Sequence, residues 1–209
     1  TNSGGGSGTA TGTTSWSIAG IPLAAGANVI TVTANDGVVN ARSTLNSNST
    51  SITLYRDTAA PVVAILNPAP PSFTTGNANV IVTGTATDDL NVVSVGWVNS
   101  QGATSGSATL SGPVTARTWS ADVPLVNGLN TVTFTATDGV GQTHAAPIGI
   151  TRDGTAPAVI VSSPATSFAV TATTPYAMAG TATASGIKTV SSVTVKNLTV
   201  LGADPAAHT

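Results

Sequence analysis

Apolar and polar residues alternate with a period of two along most of this 209-residue chain. The clearest stretch is Asn130 to Asp138, where Val132, Phe134 and Ala136 fall on one side and Thr131, Thr133, Thr135 and Thr137 on the other. That period puts one set into a core and the other into water, the mark of a half-buried strand. The same pattern predicts strands over 62–66 and 78–87, the latter with Val80, Val82 and Ala86 opposed to Ile81, Thr83 and Thr85. It predicts two more over 92–99, with Val93, Val95 and Trp97 together, and 118–125, with Trp119, Ala121 and Val123 together. Asp138-Gly139 predicts a tight turn into a last strand whose Ile148 and Ile150 face inward. About seven short strands separated by turn residues is the pattern of a two-sheet sandwich.

The pattern repeats. Gly26-Ala-Asn-Val-Ile-Thr-Val-Thr-Ala-Asn-Asp-Gly37 returns as Gly128-Leu-Asn-Thr-Val-Thr-Phe-Thr-Ala-Thr-Asp-Gly139, and Trp16-Ser17 returns as Trp119-Ser120. Arg56-Asp57 returns as Arg152-Asp153, and Gly84-Thr-Ala-Thr87 as Gly180-Thr-Ala-Thr183. Asp57 to Asp153 and Gly84 to Gly180 are both steps of 96 positions, close to the roughly 100 residues of an immunoglobulin-type sandwich. The chain thus divides into 1–57, the C-terminal half of a module; 58–153, a complete module; and 154–209, the N-terminal half of a third. The expected fold class is all-β, tandem immunoglobulin-like β-sandwiches.

Particular strings carry a resemblance: residues 2–17, then Leu23-Ala-Ala-Gly-Ala-Asn-Val-Ile-Thr-Val-Thr-Ala34, Val82-Thr-Gly-Thr-Ala-Thr-Asp88, Val93-Ser-Val-Gly-Trp-Val-Asn99 and 128–138. Nearly the whole chain resembles the bacterial immunoglobulin-like repeats related to domain B of glucodextranase. It departs from them between Val38 and Ser51, where a longer polar stretch stands in place of a short turn. The resemblance implies a non-catalytic module of a bacterial surface protein, adhesin or secreted glycan-acting enzyme, with no catalytic residue to carry over.

Composition narrows the classes. Charged residues are 7% of the chain, every acid is Asp, and Glu and Cys are absent; an ordinary soluble domain carries roughly 25% charge. Thr and Val fit a pleated surface rather than a helix. Six basic residues, scattered, make no patch for phosphates, so nucleic acid is not an expected partner. No run of about 18 apolar residues predicts a membrane-inserted helix. A Cys-free chain coated in Thr, Ser and Asn fits an extracellular or cell-surface location in a bacterium.

Candidate chemistry is sparse. His144 on the last strand and His208 near the end have no Cys or Glu to work with, and a nucleophile needs a base beside it. Asp88-Asp89 lacks the flanking cleft that paired carboxylates require. Gly4 to Gly8 carries no Lys and opens no helix, so it is an inter-strand loop rather than a phosphate cradle. Hence no catalytic residue and no organic cofactor are expected. Trp16, Trp97 and Trp119, with Val132, Phe134 and Ala136, are expected in the core, a sugar-stacking platform being the other use of the indoles. Asn48-Ser-Thr50 and Asn197-Leu-Thr199 match the glycosylation sequon, which is idle in a bacterium.

One pole of a sandwich gathers the incoming linker and two inter-strand loops. Here these supply Asp57, then Asp88, Asp89 and Asn91, then Asp138. Oxygen ligands from three loops make a candidate Ca²⁺ site; the plainer use is Asx turns and pairing of Asp57 with a neighbouring Arg. The equivalent loop at the next junction, Ala184 to Lys188, has no acid. The repeat phase sets the expectation for partners: copies of the same chain joined head to tail, or neighbouring repeats of one polypeptide. The expected function is a structural repeat of an extracellular fibre, sheath or stalk; the alternative is a glycan- or receptor-binding module.

Overall fold

A computed structural model describes residues 1–39, 45–165, 176–184 and 188–196. His208, the Asn197 sequon and nearly half of the third module lie outside these. Every described element is a strand.

The alternating stretches between residues 62 and 152 build two sheets face to face. One contains β3 (Val62–Asn67), β5 (Asn79–Thr87), β9 (Ala116–Pro124) and β8 (Thr109–Ser111), in the order β3-β5-β9-β8. The other contains β4 (Ser72–Thr75), β11 (Thr143–Arg152), β10 (Gly128–Asp138), β6 (Val92–Asn99) and β7 (Thr104–Ser107), in the order β4-β11-β10-β6-β7. All pairings are antiparallel except β4 with β11. This is an immunoglobulin-like sandwich, with one sheet built as first, second, fifth and fourth strands and the other around third, sixth and seventh.

The core lies between the sheets: Val82 and Ala86 of β5, Trp119, Ala121 and Val123 of β9, Val132, Phe134 and Ala136 of β10, and Ile148 and Ile150 of β11 are all buried. Trp119 stacks on Phe134 with centroids 4.6 Å apart, and Trp97 is buried in the same cluster. An aromatic pair of this kind adds about 0.5–1.5 kcal/mol to its area burial.

Three strands, β4, β7 and β8, lie outside the alternating stretches. Each is three or four residues long and carries mostly Ser, Thr and Gly, so no inside–outside pattern marks it. All three are sheet edges; length and polarity there restrain edge-to-edge pairing.

The inward face of β6 is corrected at Val93, which is exposed, whereas Val92 and Val95 are buried. The register against β10 slips between Thr137 and Asp138, which oppose Ser94 and Val92. Val93 is therefore the extra residue of a bulge, and the bulge shifts the phase of everything before it. The predicted tight turn at Asp138-Gly139 is longer, because β10 ends at Asp138 and β11 begins at Thr143.

Gly84 explains its own repetition. A Cβ there would lie against the Ala64 carbonyl and the Trp119 indole, and at Gly180 against the Ile160 carbonyl. Gly84→Ala is expected to destabilise the central module by about 1–3 kcal/mol through overpacking, measured as a lowered urea midpoint; an unchanged midpoint contradicts the close approach.

A two-stranded hairpin stands on either side of the sandwich in the sequence. β1 (Gly26–Val39) pairs with β2 (Leu45–Arg56), and β12 (Ala158–Ser163) pairs with β13 (Ala179–Thr183). The sequence places β1 and β2 as counterparts of β10 and β11, and β12 and β13 as counterparts of β3 and β5. In β1 the strand continues past Asp36-Gly37 to Val39 instead of ending at the Asp as β10 does, with an irregularity in its ladder between Asn35 and Val39. Trp16 is a correction: it is 50% exposed, not core. Among the described residues no second sheet covers this hairpin, so its inner face stays open.

Candidate functional site

The chain direction brings three acids to one pole of the central module. Asp57 follows β2 directly, Asp88 follows β5, and Asp138 ends β10. Each offers an oxygen within 4.8 Å of the other two. Asp89 points elsewhere: it is exposed and outside the cluster.

Local backbone fixes each carboxylate. Asp88 Oδ1 accepts from Leu90 N (2.9 Å) and Asn91 N (2.7 Å). Asp138 Oδ1 accepts from Val140 N (2.9 Å) and Gln142 N (2.8 Å). Asp57 Oδ1 accepts from Ala59 N at 3.1 Å. These are Asx turns, and they consume one oxygen of each acid. The second oxygens of Asp88 and Asp138 are buried and no donor reaches them. The Asn91 amide oxygen is equally buried and unpartnered; it packs so close to the glycine of the next turn that a Cβ on Gly139 would meet it at 2.6 Å. Asp57 does not take the local ion pair open to it, since Arg56 instead donates to Leu23 O at 3.1 Å. Gln142 Nε2 donates to Ala59 O at 3.0 Å, so the turn after β10 also holds the linker.

At the opposite pole lies a network that sequence inspection missed. Asn130 is fully buried: its Oδ1 accepts from Val126 N (3.1 Å) and Asn99 Nδ2 (3.0 Å), and its Nδ2 donates to Val126 O (2.8 Å), Gly128 O (3.0 Å) and Ile150 O (3.2 Å). Asn99 Nδ2 also reaches Pro124 O at 3.1 Å. The first module repeats this with Asn28 and Asn2: Asn28 Oδ1 accepts from Ala24 N, Asn28 Nδ2 donates to Ala24 O and Gly26 O, and Asn2 Nδ2 reaches Asn28 Oδ1 and Pro22 O. The available signal was a polar residue in phase with the inward set of β10, two positions before Val132. The clasp joins three strands and the loop after β9; it is architectural.

Both poles meet at the junctions. Arg152, the counterpart of Arg56, donates to Leu125 O at 3.1 Å as Arg56 does to Leu23 O. Asp153, the counterpart of Asp57, is buried, and its Oδ2 has no partner. Its carbonyl accepts from Lys188 Nζ at 3.1 Å. His144 is used structurally: its Nδ1 accepts from Val63 N at 3.2 Å, tying the two sheets together.

No family model matches the chain, and no curated protein sequence does either. Solved structures match in part. The fibronectin(III)-like modules of Clostridium thermocellum CbhA align over 63% of this chain and 65% of their own at 17% identity, TM-score 0.38. The N-terminal Ig1-2 module of Drosophila receptor protein tyrosine phosphatase DLAR aligns over 50% and 56% at 18% identity, TM-score 0.32. The sulfane dehydrogenase SoxCD of Paracoccus pantotrophus aligns over 51% of this chain and 27% of its own at 14% identity, TM-score 0.35. This chain therefore spans less than two thirds of each of these. At such scores the likeness carries nothing about activity or partners, and the assignment of the sandwich stands on strand order and burial. It extends to the general immunoglobulin-like fold, not to the glucodextranase-related repeats in particular.

Proposed function

We propose that this chain is a non-catalytic structural repeat of an extracellular bacterial fibre, sheath or stalk, in which half-modules are completed head to tail. The observation that supports it is a pair of complementary uncovered faces. In the first module Trp16, Ile18, Ile30 and Val32 line a half-open cavity of about 500 Å³. In the third, Val159 and Val161 of β12, counterparts of the buried Val63 and Ile65, are exposed. The first hairpin is the counterpart of the sixth and seventh strands of a sandwich, and the last is the counterpart of its first and second. Among the described residues, the first hairpin is without the earlier strands and the last hairpin without the later ones. Completion by strand docking supplies main-chain hydrogen bonds and side-chain pockets together, and a heterologous contact that does not close builds a filament. The completing strands come from another copy or from adjoining sequence of the same polypeptide.

The second reading, a glycan platform, draws on the exposed Trp16 at that cavity. The repeat weighs against it. Trp119, the counterpart of Trp16, stacks on Phe134 inside the complete module, so the open indole marks a missing cover.

The test is electron microscopy and light scattering of the full chain against concentration. Fibres or concentration-dependent oligomers are expected. Val161, by its counterpart Ile65, belongs to the inward set of β12. Val161→Asp is expected to abolish assembly, since losing the burial of one valine costs about 1.5–3 kcal/mol before the charge is counted, at least tenfold in association. A monodisperse monomer in the parent chain overturns head-to-tail completion between copies.

A further inference from the structure

We propose that the pole of the central module binds one Ca²⁺ ion through Asp57, Asp88, Asp138 and the amide oxygen of Asn91, tying the linker to the sandwich at the first junction. Three carboxylates meeting within 4.8 Å repel one another unless a cation stands between them. Hydrogen bonding does not relieve this: each Asx turn uses only one oxygen, and the second oxygens of Asp88 and Asp138 are buried with no donor. Asp138 is only 3% exposed. A buried anionic oxygen without a partner costs several kcal/mol and is normally paired or metal-bound. The Asn91 oxygen, also buried and unpartnered, adds a neutral ligand.

The chemistry selects the cation. The donors are all oxygen, which excludes the nitrogen and sulfur preferences of zinc and copper. Two oxygens on one ion are separated by at most twice the metal–oxygen distance, about 4.6–5.2 Å for Ca²⁺ and about 4.0–4.2 Å for Mg²⁺. The three oxygens lie within 4.8 Å of one another, a bound that calcium coordination accommodates. Three separate loops also suit the flexible coordination of Ca²⁺, with water completing six to eight ligands.

The second junction provides an internal contrast. There the position of Asp88 is taken by Ala184 and that of Asn91 by Ile187. Lys188 brings its ammonium to the carbonyl of Asp153, and a Cβ on Gly76 would lie 3.1 Å from that ammonium. The second junction thus lacks two of the ligand positions and brings a lysine to the backbone carbonyl of Asp153, not to its carboxylate.

The experiment is calorimetric titration of CaCl₂ into the EDTA-treated, dialysed full chain, with the thermal midpoint measured in parallel. One ion per chain is expected, and a midpoint rise of about 10 °C or more at a hundred times Kd. Asp88→Asn with Asp138→Asn keeps the turn-forming oxygens and is expected to abolish the rise without lowering the midpoint in EDTA. Asp57→Asn, in the linker and outside the sandwich, is expected to weaken binding at least tenfold. Lys188→Met is expected to leave the calcium response intact. No heat and no shift up to about 10 mM, well above the weak end of extracellular calcium sites, overturns the proposal. So does an undiminished response in the paired Asn variant, or an equal response to Mg²⁺. Ion binding is read here without reference to assembly, so failure to form fibres and failure to bind calcium are separable results.

Discussion

Phe134→Ala is expected to lower the unfolding free energy of the central module by about 3–5 kcal/mol. Phe134 has no exposed surface. It sits at the middle of β10, the strand paired on both sides, by β11 and β6, and its ring stacks on Trp119 of the opposite sheet. Truncation removes the ring, leaves a cavity, and strips Trp119 of its partner at once. Neither sheet can collapse into the gap, because both are held by continuous ladders. The measurement is a urea titration followed by indole fluorescence. Leu129→Ala, on the same strand but 57% exposed, serves as the comparison and is expected to change stability by no more than about 0.5 kcal/mol. A loss below about 1 kcal/mol at Phe134, or equal losses at the two sites, contradicts the core described above.

Asn130→Ala is expected to be of similar size, about 3–5 kcal/mol, for an opposite reason. Here the deleted group is polar. Its removal orphans the amide of Val126 and the carbonyls of Val126 and Gly128, and takes one acceptor from Asn99, which keeps Pro124 O. Each buried group left unsatisfied costs about 1–3 kcal/mol, and water that enters to rescue some of them reduces the sum. Asn130→Asp separates shape from hydrogen bonding: it keeps the volume and the acceptor but loses both donors, and it buries a charge. It is therefore expected to be no better tolerated than alanine. The same alanine change at Asn28 is expected to cost less, because its half-module is open on one face and water reaches the orphaned groups. Equal, near-zero costs at both positions contradict the role given to the clasp.

Two features were absent from the sequence pattern for physical reasons. A bulge adds one residue to a strand, and nothing about Val92-Val93 says which of two adjacent valines turns inward; the partner strand decides. The edge strands β4, β7 and β8 owe their conformation to the ladders of β11, β6 and β9. Their Ser, Thr and Gly residues have no apolar side to alternate.

By itself the sequence determined the all-β class, the 96-residue self-similarity, and the inward set Val132, Phe134 and Ala136. These follow from a local rule, because successive side chains on a strand point to opposite faces. It also brought Asp57, Asp88 and Asp138 into consideration as residues of one pole, once a sandwich was assumed. Only the tertiary structure decided that Asp89 stands apart and that the second oxygens of Asp88 and Asp138 lack donors. It alone decided that Lys188 reaches Asp153 and that Trp16 lies open while Trp119 is enclosed. Whether a carboxylate is paired, or an indole covered, depends on groups tens of residues away. The alternation along a strand determines which way a side chain points, and only the packed sheets and loops determine what it meets.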